Sequence, residues 1–163
     1  MSKLIIVDTA LADVDALIAS AAEYLARRLG GTPPLDPAAL PADAAAALAA
    51  IDAWAGTGAA NWRAELTRFF EAHAPVHLVP DPELNAVLRR AAKADAHLAV
   101  ASALPATPLD LELQQLGCAR AFKAACAGDG SLDDALTMAQ AALGGHDTPI
   151  ARTRAEVLAA LGG

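Results

Sequence analysis

The chain has 163 residues, 55% hydrophobic but only 4% aromatic, and alanine alone supplies 45 of them. Its mean hydropathy of +0.34 therefore reflects methyl groups, and the longest apolar run, Ala44 to Ile51, is far short of the roughly 20 residues a membrane span needs. A net charge of −7 disfavours a nucleic-acid partner, whose binding rests on Lys and Arg neutralising phosphates, and the apolar content excludes disorder.

At 16.5 kDa a single domain is expected. The basic start and small-residue cleavage pattern of a signal peptide are missing. Cys118 and Cys126 form no CxxC pair and read as free thiols of a reducing compartment. The expectation is a cytoplasmic protein, mainly helical, with no membrane contact.

The first element is a strand, Lys3 to Asp8, a continuous apolar run suited to a parallel strand covered on both faces and ending on a carboxylate. Asp13 or Asp15 then caps a helix to about Leu29, with Ile18, Ala22, Leu25 and Leu29 along one face. A Pro-rich connector, Thr32 to Pro41, leads to two helices. One runs from about Ala42 to Trp54 and stops at Gly56-Thr57-Gly58; the other runs from Asn61 to His73 and ends before Pro75.

Asp81-Pro82 starts a helix to about Ala94, with proline in its first turn. His97 to Ser102 reads as a second buried strand, Leu109 to Leu116 as a helix closed by Gly117, and Phe122 to Cys126 as a third strand. A helix from Leu132 to Leu143, a short fourth strand from Thr148 to Arg152 and a helix from Thr153 to Leu161 complete the order. Strands alternating with helices predict an α/β domain with a parallel sheet, the first strand central beside the second.

This order of parts resembles the haloacid-dehalogenase-like (HAD) hydrolases, a Rossmannoid fold with a helical cap inserted after the first strand. The resemblance spans nearly the whole chain: 1–13 and 79–163 correspond to the α/β core and 14–78 to the cap. Leu4 to Asp15 resembles the opening strand and the DxDGTLxD loop, with Asp8 at the nucleophile position and Asp15 at the last acid. Ala10 stands for the second Asp, and Leu11-Ala12 for Gly-Thr. A register two residues different would put Ile6 at the nucleophile and remove the chemistry.

His97 to Ser102 resembles the strand ending in the phosphate-binding Ser or Thr, and Ser102 matches it. Val79 to Arg90 resembles the helix that precedes that strand. The run Leu116-Gly117, Phe122 and Gly128-Asp129 resembles the approach to the phosphate-binding lysine, yet Ser131 stands about where that lysine is expected, and Lys123 lies several residues too early. Ile150 to Val157 resembles the metal-binding GDxxxD turn, with Arg152 at the first acid and Glu156 at the second.

The resemblance implies attack on phosphorus by a carboxylate, a Mg²⁺ held by oxygen ligands, a cation to stabilise transferring charge, and a proton shuttle. Arginine has no lone pair to offer a metal, so no metal is expected. The catalytic positions Asp8 and Ser102 read as vestigial, and a non-catalytic binding or interaction protein, a pseudoenzyme, is the first expectation. The alternative is a hydrolase of small phosphate esters working through Asp8, with Mg²⁺ as cofactor.

Each residue also has a plainer reading. Asp8 is either a chemical group or a remnant, Ser102 either a ligand group or a turn former. Arg152 is either solvated or paired with Asp8 across the crevice. His73 and His77 are expected to be separated by the break at Pro75. Trp54, Trp62, Phe69 and Phe70 form either a core between cap helices or an exposed patch for a partner. A homodimer or protein partner is expected at those aromatics or at the edge of the fourth strand.

Overall fold

Two apolar runs make the centre of a sheet. In the computed structural model, which describes residues 2–31, 33–56 and 61–162, β1 (Lys3–Val7) pairs in parallel with β2 (His97–Ser102) and with β4 (Ile150–Ala151), and β2 pairs with β3 (Ala124–Ala127). The strand order is β3-β2-β1-β4, all parallel. Ile5 and Ile6 of β1 are both fully buried, as expected of a strand covered on both faces. The protein is an α/β domain.

The two faces differ in how they are packed. Leu4, Ile6, Leu98 and Val100 join one cluster with Leu84 and Leu88 of α4 (Pro82–Lys93), Leu109 and Leu113 of α5 (Ala106–Leu116) and Val157 of α7 (Arg154–Leu161). On the other face, Ile5, Ala99 and Ala101 meet Ala135 and Ala139 of α6 (Leu132–Ala142). Alanine on both sides of that contact lets the helix lie close to the sheet.

Between β1 and α4 the chain is helical: α1 (Val14–Arg28), α2 (Ala44–Ala55) and α3 (Trp62–His77). Their buried residues belong to the same cluster as Leu4 and Ile6. Asp13, Asp43, Asn61 and Asp81 each cap the helix that follows by accepting a backbone N–H, which satisfies donors that a helix start leaves open. Thr57 and Gly58 of the expected helix stop, and Thr32 of the connector, lie outside the described residues.

Several boundaries depart from the sequence reading, among them the start of α5, which begins at Ala106 instead of Leu109. The helix expected to end before Pro75 runs through it to His77; Pro75 is exposed, and its ring is accommodated one turn from the helix end. The third strand is Ala124–Ala127 rather than 122–126, because Phe122 still follows a short turn at Ala119–Ala121. The fourth strand shrinks to Ile150–Ala151 because the Gln140 side chain takes both backbone groups of Thr148, at 3.1 Å each. A backbone satisfied by a side chain is lost to the ladder.

Candidate functional site

Sheet register brings the first two candidate residues together. Pairing of Val7 with Ala101 puts Asp8 beside Ser102, and both fall on the face of Leu4, Ile6 and Val100 because side chains alternate. The Ser102 hydroxyl donates to Asp8 Oδ2 at 2.6 Å and accepts from the Leu104 N–H at 3.0 Å. Ser102 is fully buried, and Asp8 is 4% exposed. Ser102 therefore forms the turn and holds Asp8 at once, so both sides of its hydroxyl are engaged.

The third member of the site is Glu112, which the sequence reading did not single out. On α5, Leu109, Glu112, Leu113 and Leu116 form the inward stripe at spacings of three, one and three. An acid on an otherwise leucine stripe was the available signal. Glu112 is 0% exposed, and neither carboxyl oxygen receives a donor from the protein. Its charge interacts with that of Asp8, the carboxyl it faces in the core.

Two carboxylates cannot hydrogen-bond unless one keeps a proton. Burial, then the negative charge of Asp8, then the bond to Asp8 push the Glu112 carboxyl well above its ordinary range. Burial also raises Asp8 to about 6, opposed by the bonds from Ser102 and Glu112 and from the Thr9 backbone. Both carboxyls are thus pushed up, Glu112 the further, so Glu112 holds a proton more readily than the Asp8 carboxyl that receives the Ser102 hydroxyl.

The expected Asp8–Arg152 pair does not form. Ile6 pairs with Ala151, so Arg152 is level with Val7 and Thr153 with Asp8; the one-residue offset turns Arg152 to the other face. Arg152 is exposed and is in no ion pair among the described residues. Its backbone N–H donates to Glu156 Oε2 at 2.9 Å, while Thr153 Oγ1 accepts from the Glu156 N–H at 3.2 Å. Thr153-x-x-Glu156 is a capping-box pattern, and Glu156 serves the start of α7.

Above Asp8 is a small cavity of about 170 Å³, whose wall includes Val7, Asp8, Ser102, Arg152 and, from α2, Ala44 and Leu48. It lies outside the carboxyl ends of β1 and β2, where open α/β sheets bind ligands. Helical residues of the 14–78 segment also clamp the loop after β3. Arg63 on α3 donates from Nε to Asp129 Oδ1 at 2.6 Å and from Nη2 to Asp52 Oδ1 at 3.0 Å. The loop is tight as well: a Cβ on Gly128 would lie 1.7 Å from the Ser131 carbonyl oxygen.

The remaining candidates separate. Trp62, Phe69 and Phe70 are buried, and the Trp54 indole donates to the Pro33 carbonyl at 2.9 Å. The expected exposed aromatic patch for a partner is therefore not formed. His73 and His77 share one helix after all and both lie against the Phe69 ring; among the described residues no three His, Cys, Asp or Glu side chains converge for a metal. Cys118 and Cys126 are free and buried. No family model matches the chain, and no curated protein matches it. No helix among the described residues is long and apolar enough to cross a membrane.

Proposed function

We propose that the chain is a degenerate HAD-like domain, with residues 14–78 as its helical cap, that binds a small ligand or a protein partner at the β1–β2 crevice instead of transferring phosphoryl groups. One observation carries this reading: the carboxyl at the nucleophile position, Asp8, is buried, bonded by the Ser102 hydroxyl and in no ion pair among the described residues. A nucleophilic carboxylate needs a free oxygen and a compensating positive charge facing the transferred group. Here the side-chain donor to Asp8 is the uncharged Ser102 hydroxyl. The parallel sheet, the helical segment after β1 and the contribution of α2 to the cavity wall support the HAD-like part of the reading.

The Mg²⁺ of that family does not fit these residues. Arg152 stands where the first acid would be and brings no lone pair, and the carboxylate of Glu156 is engaged at the start of α7. Asp8 alone is left, and its proton-sharing partner competes with any cation for its charge.

The test is hydrolysis of a generic aryl phosphate with and without Mg²⁺. No turnover above buffer is expected. Turnover abolished by Asp8→Asn would replace this reading with that of a hydrolase acting through Asp8.

A further inference from the structure

Away from Asp8, a cavity of about 460 Å³ lies between α4, α5 and the turn at Ala119–Ala121. Its volume is in the range of small-molecule sites. Leu88, Ala92, Leu113 and Cys118 supply an apolar floor, and Arg89, Lys93 and Arg120 stand around it. None of its lining residues is acidic, although the chain carries 19 acidic residues against 12 basic ones.

The helix dipole accounts for Lys93, the last residue of α4, but not for Arg89 beside it. Arg89 and Lys93 are four residues apart on one helix, where like charges repel. All three cations are exposed, and none is in an ion pair among the described residues. The two amides of the wall are already used: Asn85 donates to the Leu116 carbonyl at 2.9 Å, and Gln114 to Asp110 at 2.8 Å. What is left unmatched is a ring of positive charge over an apolar floor. The Cys118 thiol belongs to that floor, since burial and the neighbouring Glu112 push it up to about 11 and keep it uncharged.

We propose that this cavity binds an amphipathic monoanion, a medium-chain carboxylate whose tail lies on Leu88, Leu113 and Cys118 and whose head group meets Arg89, Lys93 and Arg120. The charge match selects the head, and the apolar floor selects the tail. Its lining includes none of Asp8, Ser102 and Glu112, so its occupancy does not depend on how Asp8 is read.

Octanoate, octanol and acetate titrated separately into the full chain, by calorimetry and by thermal shift at low and high salt, test the proposal. Octanoate is expected to bind saturably at one site and to weaken with salt, with octanol at least about tenfold weaker and acetate without effect. Ala92→Trp fills the cavity from α4 and is expected to abolish binding with the circular dichroism spectrum unchanged. Arg89→Ala and Arg120→Ala each remove an exposed cation and are expected to weaken octanoate without changing octanol. Equal binding of octanoate and octanol, octanoate binding that survives in a folded Ala92→Trp protein, or no saturable octanoate binding would each overturn the proposal. Amide shifts on octanoate addition should fall at Gly117 and Ala119; shifts confined to Thr9 and Ala103 would put the ligand at the Asp8 crevice instead.

Discussion

Replacing Glu112 by glutamine tests whether the Asp8 site is held by a shared proton. In the folded chain the Asp8 carboxyl is raised from 3.8 to about 6 by burial. The unfolded chain releases this proton first as pH rises, so stability is highest below pH 4 for this group and falls between about 4 and 6, by about 3 kcal/mol in all. Glu112 is raised in the same direction by burial and by Asp8. It adds a further loss of about 1.4 kcal/mol for each pH unit by which its folded value exceeds 4.5. Glu112→Gln keeps a donor toward Asp8 but cannot titrate, so the second loss should vanish. Urea unfolding of both proteins from pH 4 to 9 gives the comparison, and subtracting the two profiles removes the surface carboxylates they share. Expected is a wild-type curve that falls more steeply above pH 5 than the variant's, with the variant equal or more stable at pH 8. Parallel profiles would refute proton sharing, and a variant that loses stability most at high pH would show Glu112 to be ionised in the fold.

Two further substitutions probe neighbouring parts. Ser102→Ala removes the donor to Asp8 and the acceptor of the Leu104 N–H; a loss of about 1.5–3 kcal/mol is expected, together with an Asp8 carboxyl titrating still higher by NMR, because the Ser102 bond holds it down. Pro75→Ala restores a helix donor at an exposed position of α3 and should stabilise by about 1–3 kcal/mol in thermal unfolding; no gain would mean that the turn at Pro75 is already strain-free.

Sequence pattern carried the sheet centre and the helix starts because both are local. The run Leu4 to Val7 and the caps Asp13, Asp81 and Thr153 act through neighbours within four residues. The fourth strand was legible only in part, since the Gln140 amide that takes the backbone of Thr148 is eight residues away and has no strand signature. The helix break at Pro75 was read from a rule about helix interiors, and the residue sits close enough to the end of α3 for the helix to continue. At the site, Asp8 and Ser102 were legible as strand-end residues, and their bond follows from the β1–β2 register. Glu112 was not, because its role depends on which face of α5 meets the sheet. Arg152 was misassigned for a related reason: nearness of two strand ends does not set which face a side chain takes, and the β1–β4 register is offset by one residue from the pairing the idea required.

A buried carboxylate can be held by a metal, by a basic side chain or by a proton, and each choice leaves a different crevice. A metal would present a positive centre to incoming ligand, and an arginine would close the site with a bidentate pair. A proton shared between Asp8 and Glu112 leaves the pair with a single negative charge and a donor already used inside the protein. Arg152 remains on the cavity wall without a partner, one face removed from Asp8. The resulting cavity of about 170 Å³ is lined by Val7, Val14, Ala44 and Leu48 together with the acids Asp8 and Asp43 and the cation Arg152. A phosphate ester would have to seat its dianionic head against Asp8, where the like charge in a dry site opposes it.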